Sequence, residues 1–252
     1  MATAVKQEEP NSPHPDGAEN VVVRFAGDSG DGMQLTGGQF TLSTALAGND
    51  LATFPDFPAE IRAAQGTLFG VSAFQINFGS RAIETAGDQP DVLIAMNPAA
   101  LKTNVDALRA GGLIIADAGE FGKRNLDKAK YENNPLEDGS LGRAAVPSGA
   151  STGSLAKWQL LKLDISALTL EAVKPFGLGN KKALRCKNMW TLGLALWMFE
   201  RDRQPIVEWL KGKFAKLPDV AEANIAALNA GHAYGETAEL SGDGLGSGHL
   251  TS

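Results

Sequence analysis

The sequence predicts an α/β fold, because apolar runs with the length of buried strands alternate with helical patterns. The runs at 21–26, 91–96 and 113–116 are rich in Val, Ile and Leu, as strands of a parallel sheet are when both faces are covered. Glycines follow the first run, and the second is followed by Asn97 and Pro98, which are typical of a helix start. We therefore expect a Rossmann-like three-layer domain with a mostly parallel sheet and a helical C-terminal region.

The other elements are predicted from weaker patterns. A helix over 33–47 follows the first strand, with Ser29 and Asp31 as candidate N-terminal caps. Residues 66–79 alternate as in a strand pair or a long edge strand, and 119–154 form a polar excursion that is unusually long for a domain interior. The remaining expectations are a last strand at 162–165 and helices at about 183–200, 205–215 and 219–231.

Both ends differ in composition from the middle of the chain. Residues 1–19 are polar and proline-rich, with too little apolar surface to order themselves. Residues 237–252 end in glycines and serines, as a flexible linker or a truncated end does, which leaves open a continuation of the natural chain. The predicted domain therefore spans 20–236.

Composition excludes several classes of function. A net charge of -6 without a basic block argues against nucleic acid, and the local basic cluster is limited to Lys181, Lys182, Arg185 and Lys187. The single cysteine, Cys186, cannot form an intrachain disulfide or supply a four-thiolate cluster, and three scattered histidines disfavour a metal site. Without a signal peptide or a long apolar run, we expect a cytoplasmic protein with no membrane segment.

The glycine-rich loop at 27–32 has two open interpretations. Strand, glycine loop and helix form the geometry that cradles an anion, but a tight turn under a closely packed helix needs the same glycines. The dinucleotide fingerprint fails because Leu35 stands where its third glycine belongs. The start of a thiamine diphosphate motif at 30–32 lacks the later asparagine within 55–62. The loop therefore indicates a ligand or a close backbone contact without identifying either.

Several short sequence motifs occur in the same order as in one enzyme family. The chain is similar to the gamma-type domain of 2-oxoacid:ferredoxin (acceptor) oxidoreductases, and most similar to the N-terminal half of the alpha subunit in 2-oxoglutarate-specific members. The resemblance covers about 21–236, except that 119–158 is longer than the family pattern and the thiamine-binding continuation of the alpha subunit is missing. The matching motifs lie at 27–33, 57–62 with Gly66, 70–75, 91–98 with 100–101, and 187–189 with 192–193.

The resemblance implies an enzyme of several subunits. Its members decarboxylate a 2-oxoacid on thiamine diphosphate with Mg2+, pass electrons through a [4Fe-4S] cluster to ferredoxin, and transfer the acyl group to coenzyme A, or run the reverse reaction. By this resemblance we expect the present chain to be inactive alone and to bind none of these cofactors by itself. We also expect it to contain no catalytic or metal-binding residue. Its expected partners are a thiamine-binding alpha portion and a beta subunit. The alternatives are a non-catalytic assembly module and a free-standing Rossmann-type nucleotide-binding oxidoreductase.

The gamma-type domain is expected to shape the channel for coenzyme A. Asp28 and Asp31 would repel its phosphates unless they turn away or pair with a cation such as Arg62, so the backbone and Ser29 are expected to face the ligand. The candidate channel residues are Gly27, Ser29, Gly30, Gly32, Arg62, Lys187 and Asn188.

Other residues carry structural expectations. Glu60 is expected to hold Arg62, Asn97 to cap a helix, and Cys186 to be a small buried residue. Asp117 ends a predicted parallel strand at the sheet edge where ligands bind in α/β folds.

The aromatic content of the C-terminal helices predicts an interface. Trp190, Trp197 and Trp209, with Leu194 and Phe199, exceed what one helix face normally hides. We expect part of this surface to bury against a partner subunit.

Overall fold

A six-stranded mixed sheet organises the described part of the chain. The computed structural model describes residues 20–60, 62–141 and 157–238. The strands are β1 (Asn20–Asp28), β2 (Asp50–Asp56), β3 (Val71–Gly79), β4 (Val92–Ala95), β5 (Leu113–Asp117) and β6 (Gln159–Leu163). In the spatial order β2-β3-β1-β4-β5-β6, strands β1, β4, β5 and β6 are parallel neighbours, and β3 runs antiparallel between β2 and β1.

Helices cover both faces of this sheet. They are α1 (Met33–Leu46), α2 (Pro98–Asn104), α3 (Lys123–Lys128), α4 (Ile165–Val173), α5 (Asn180–Ala183), α6 (Lys187–Met198), α7 (Gln204–Lys213) and α8 (Pro218–Thr237). One hydrophobic core joins α1, α4, α6, α7 and α8 to the sheet, and a second joins α2 to the opposite face. The three-layer α/β class with a mostly parallel sheet and a helical C-terminal region is confirmed.

The strands predicted from apolar runs and the helix start at Asn97 are confirmed. Asn97 caps α2 with its side-chain oxygen, which accepts a hydrogen bond from the Ala100 N–H at 2.8 Å. The predicted caps of α1 are wrong, because its N-cap is Gly32 in the left-handed conformation, with φ of 76°. The Asp31 carboxylate turns back instead and accepts from the Asp28 N–H at 2.9 Å.

The sheet edge was predicted incorrectly. Residues 66–79 are neither a strand pair nor an edge strand: a short 3-10 turn at Leu68–Gly70 leads into β3, which pairs on both sides. The edge strand is β2, whose half-exposed sequence with Pro55 lacks the apolar alternation that reveals a strand.

The region after β5 also differs from the prediction. The excursion at 119–154 contains helix α3, and its apolar residues 144–146 lie outside the described residues. The last strand begins and ends earlier than 162–165, because Asp164 caps α4 by accepting from the Ala167 N–H at 2.9 Å. Ile165 is therefore the first residue of a helix that the sequence did not reveal.

The C-terminal helices form a closely packed bundle. The predicted partner interface on them is wrong for Trp190, Leu194 and Phe199, and it stays a prediction for Trp197 and Trp209, which are partly exposed. Trp190, Leu194 and Phe199 are buried in the core of this chain, and Trp197 and Trp209 pack against the same core. Helix α8 extends past the predicted end at 231.

Among the described residues, no helix is both long and apolar enough to cross a bilayer. The predicted tail at 1–19 lies outside the described part of the chain, as does the predicted linker at 237–252 from residue 239 onward.

Candidate functional site

The candidate site lies at the carboxyl ends of β1, β4 and β5. The chain leaves β1 for α1 on one face of the sheet and leaves β4 for α2 on the other face. In open α/β sheets such a change of face opens a crevice that binds ligands. The Asp28 carboxylate bridges this crevice: one oxygen accepts from the Asn97 side chain at 3.1 Å and the other from the Gly66 N–H at 2.8 Å.

A buried lysine holds the neighbouring strand end. The Lys187 ammonium, at the start of α6, lies 3.0 Å from a carboxylate oxygen of Asp117 and 3.0 Å from one of Glu120. The Ser166 hydroxyl donates to the same Asp117 oxygen at 2.9 Å. Asp117 is fully buried and its charge is compensated by this lysine, which joins β5, α4 and α6 in one network.

The electrostatics of the cluster follow from burial. Burial and then the nearby Asp31 raise the pKa of Asp28 from 3.8 to about 6, despite the hydrogen bonds from Gly66 and Asn97. Burial also raises the pKa of Asp31, which the Lys187 charge opposes. For Lys187 itself, burial lowers the pKa, but Asp117, Glu120 and Asp31 together outweigh it and raise the pKa above its usual value. The ammonium therefore stays charged at any physiological pH.

A polar cavity of about 160 Å³ lies within this cluster. It is smaller than the roughly 300–1,000 Å³ pockets that hold drug-sized ligands, so it suits water or a small polar group rather than a nucleotide. Among the described residues, no group of three or more His, Cys, Asp or Glu side chains is arranged to hold a metal ion. The cavity is lined by Asp28, Asp31, Gln65, Gly66, Met96, Asn97, Glu120, Asn125, Lys128 and Lys187.

The predicted channel residues of the glycine loop fall into buried and exposed positions. Gly27 is buried, and a Cβ there would lie 2.9 Å from the Asp31 carboxylate. Gly32 lies against the side chain of Asn188, whose amide nitrogen would be 2.6 Å from an added Cβ. Ser29 and Gly30 form the exposed tip of the loop. The structure thus brings the loop together with the start of α6.

The two predicted cations have different surroundings. Arg62 is exposed and, within the described residues, forms no ion pair with Glu60 or with another carboxylate. The expectation that Glu60 holds Arg62 is therefore wrong. Of the two alternatives for the loop carboxylates, pairing with Arg62 is not found among the described residues, and the cation that acts on Asp31 is Lys187. The expectation that these carboxylates are held by the protein is correct. Cys186 is buried as expected, and burial raises the pKa of its thiol to about 11.

Sequence reasoning missed Glu120, Ser166 and Lys128. Glu120 follows the predicted ligand edge by three residues, and this spacing after Asp117 was a usable signal. Ser166 and Lys128 belong to helices that were not predicted, so nothing in the sequence marked them.

Together the sheet order, the change of face at β1 and β4, and the helical bundle define a three-layer α/β domain with a crevice at the carboxyl ends of its parallel strands. The sequence pattern of the family described as pyruvate ferredoxin/flavodoxin oxidoreductase matches residues 22–234. The chain belongs to this family, and the resemblance seen in the sequence is confirmed.

A curated relative is closely similar in sequence. The 2-oxoglutarate oxidoreductase subunit KorA of Mycobacterium tuberculosis is 53% identical over 224 residues, which are 89% of this chain and 32% of KorA. The chain therefore spans about a third of the length of this relative.

Two solved structures share the fold. The 2-oxoglutarate:ferredoxin oxidoreductase from Magnetococcus marinus, with 2-oxoglutarate, coenzyme A and succinyl-CoA bound, matches 86% of this chain and 31% of its own, with a TM-score of 0.61 and 23% identity. The gamma subunit of the keto/oxoacid ferredoxin oxidoreductase from Geobacter sulfurreducens matches 88% of this chain and 99% of its own, with a TM-score of 0.53 and 16% identity. In the first protein this fold is one part of a longer chain, and in the second it is a separate subunit.

Proposed function

We propose that this chain is the gamma-type portion of a thiamine-diphosphate-dependent 2-oxoacid:ferredoxin oxidoreductase, with 2-oxoglutarate as the oxoacid. The observation that carries the proposal is the 53% identity to a 2-oxoglutarate oxidoreductase subunit over 89% of this chain. The reaction converts 2-oxoglutarate and coenzyme A to succinyl-CoA, CO2 and a proton while two electrons pass to oxidised ferredoxin, or it runs in reverse with reduced ferredoxin as the electron donor. By this proposal the chain has no activity alone.

The remaining subunits would hold the redox cofactors. The chain contains one cysteine, whereas a [4Fe-4S] cluster takes four thiolates, so the cluster belongs to a partner. Thiamine diphosphate and Mg2+ are likewise assigned to the thiamine-binding alpha portion and the beta subunit, because the loop at 30–32 lacks the rest of the thiamine motif. Ferredoxin is the electron acceptor of the assembled enzyme.

The outer face of α1 fits the contact with the thiamine-binding portion. None of the 14 residues of α1 is charged, and Leu42 and Leu46 on its outer face are 40% and 63% exposed. Surface helices normally carry charged residues on the face turned to water, so an uncharged outer face indicates a covered one. Relatives with a chain three times as long have additional polypeptide to place against such a face.

The exposed tip of the glycine loop fits an approach of coenzyme A. The first N–H groups of α1 have no intrahelical partners, and within the described residues no side chain caps them. The carboxylates of Asp28 and Asp31 are turned to backbone donors of the protein, which leaves Ser29 and Gly30 outward. We propose that the buried members of the predicted channel set support the loop and that its exposed members face the ligand. The set consists of Gly27, Ser29, Gly30, Gly32, Arg62, Lys187 and Asn188.

Replacing Gly30 tests this role of the loop. Among the described residues, a Cβ at Gly30 meets only the Gln65 amide at 3.4 Å, so we expect Gly30→Val to preserve the fold, whereas Gly32 has a left-handed backbone that valine strains. In the assembled enzyme we expect a raised KM for coenzyme A with oxoacid decarboxylation retained. Gly212→Val, at an open position on α7, is the control. An unchanged KM in a correctly assembled Gly30→Val enzyme would make the loop structural only.

A further inference from the structure

The excursion after β5 is a packed part of the domain rather than a loose loop. Within its residues 119–141, four apolar side chains are buried in the core that also holds α2. The Lys102 ammonium of α2 donates to the Lys130 carbonyl oxygen and lies 4.6 Å from the centre of the Tyr131 ring. These contacts fix the excursion against α2. The four buried side chains are those of Phe121, Ala129, Leu136 and Leu141.

Lys128, on α3, connects this excursion to segment 62–70, which lies between β2 and β3. Its ammonium donates to the Gln65 carbonyl oxygen at 2.9 Å. A Cβ on Gly66 would lie 3.2 Å from the Lys128 Cδ, so the two parts of the chain are in close contact. Gly66 and Gly70 are the buried residues of this segment, and its regular structure is limited to the 3-10 turn at its end. Contacts with other parts of the chain therefore set its position.

Segment 62–70 also contacts the glycine loop. Its Gly66 N–H donates to the Asp28 carboxylate at 2.8 Å, and its Gly70 carbonyl oxygen accepts from the Ser29 N–H at 3.1 Å. An added Cβ on Gly30, at the exposed tip of the loop, would lie 3.4 Å from a side-chain amide nitrogen of the same segment. A continuous series of contacts therefore runs from α3 through segment 62–70 to the glycine loop.

The charge of Lys128 acts on the same loop. Burial and then Asp31 raise the pKa of Asp28, and the Lys128 ammonium opposes this rise. The other ionisable side chains that line the polar cavity are Glu120 and Lys187, which pair with each other at 3.0 Å. Removal of the Lys128 charge is therefore detectable in the titration of Asp28, separately from any change in stability.

We propose that residues 119–141 act as a clamp on the candidate site, in which Lys128 is a positioning residue that holds segment 62–70 against the glycine loop. Because the contacts reach Asp28 and Ser29, the clamp determines where the exposed tip of the loop lies. The excursion, which is longer than the family pattern, thereby has a role at the site. That role concerns the geometry of this chain and does not depend on the proposed function.

Hydrogen exchange in the full chain, measured by NMR, tests the clamp. Lys128→Met keeps most of the apolar stem of the side chain and removes its charged donor. We expect the amides of Gly66 and Ser29 to exchange roughly tenfold faster in this variant, as the loss of one hydrogen bond from a charged group allows. Asp28 is expected to titrate at a higher pH, because the opposing charge is gone. Lys128→Arg keeps the charge and the donor, so it is expected to retain the slow exchange and the original titration of Asp28.

Lys123→Met is the matched control, because Lys123 is exposed on the same helix and does not line the cavity. It is expected to leave both measurements unchanged. Unchanged exchange at Gly66 and Ser29 in Lys128→Met overturns the proposal, and so does an equal change in the control. Faster exchange throughout the chain would make Lys128 a general stabilising residue, and a shifted Asp28 titration with unchanged exchange would make it only a neighbouring charge. Either result also overturns the positioning role.

Discussion

At the scale of single residues, Lys187 is the cation on which the candidate site depends. Its removal would leave the fully buried Asp117 and the nearby Glu120 without their counter-charge. We predict that Lys187→Met lowers the free energy of unfolding by about 3–5 kcal/mol, because a buried carboxylate without a partner is costly. Urea denaturation measures the loss, with Lys211→Met at an exposed position as the control. A loss of stability no larger than that of Lys211→Met would contradict the structural role given to this lysine.

The second residue-level prediction concerns Asp28 and pH. Burial raises its folded pKa from 3.8 to about 6, so the folded protein binds the proton more tightly than the unfolded chain. The stability from this group is complete below the unfolded value and is lost as pH rises through the folded value. Relative to Asp28→Asn, which does not titrate, we therefore expect the unmodified protein to lose about 3 kcal/mol of stability between low and neutral pH. Urea denaturation of both proteins at several pH values checks this, and parallel stability curves would contradict it.

The candidate site was partly predictable because its anchors follow apolar strands. Asp28, Asn97 and Asp117 each lie at the end of a run that the sequence reveals, so their common edge could be foreseen. The pairing of Lys187 with Asp117 could not, because the two residues are separated by 70 positions and meet only through the packing of α6 on the sheet. Local spacing favoured Arg62 as the cation, but tertiary contacts select Lys187.

At the scale of elements, the crossing of α6 and α8 depends on two glycines. A Cβ at Gly193 would lie 1.9 Å from the Leu228 carbonyl oxygen, and one at Gly231 would lie 1.9 Å from the Trp190 carbonyl oxygen. We predict that Gly193→Ala lowers the free energy of unfolding by about 3 kcal/mol through overpacking, although alanine favours helices. Gly212→Ala on α7 is the matched control, and its open surroundings predict a gain of about 0.5–1 kcal/mol. Equal effects at the two positions, measured by thermal and urea denaturation, would rule out close helix packing at Gly193.

The elements differ in how far the sequence reveals them. Strands β1, β4 and β5 are buried on both faces, so their composition alone identifies them. Strand β2 is exposed along most of its length, and α4 follows β6 after the single capping residue Asp164, so neither has a clear pattern of its own. The partial burial of an edge strand is set by its neighbours, which a single sequence does not show.

At the scale of the whole molecule, most of the apolar surface that composition assigned to a partner lies inside the core of this chain. The tryptophan-rich helix α6 is enclosed by α1, α4 and α8. A helix that is apolar on all sides is stable when all of its sides are buried in the core. Helix α1 has fewer large side chains, but it lies on the outside of the bundle and has no charge to turn toward water. The count of aromatic residues therefore located mainly the core of the chain.

The uncharged outer face of α1 gives the prediction for assembly. Leu46→Lys places a charge on a side chain that is 63% exposed, so the stability of the chain alone should change by less than about 0.5 kcal/mol. Co-expression with the thiamine-binding portion and the beta subunit should then yield less complex, because a buried unpaired lysine costs far more than an exposed one. Leu217→Lys, at a side chain that is 58% exposed and lies between α7 and α8, is the matched control and should assemble normally. Size-exclusion chromatography with light scattering measures both outcomes. If Leu46→Lys assembles as well as Leu217→Lys, another face of the domain meets the partner. If the unmodified chain dimerises through this face and the variant does not, the occupant is a second copy of the chain.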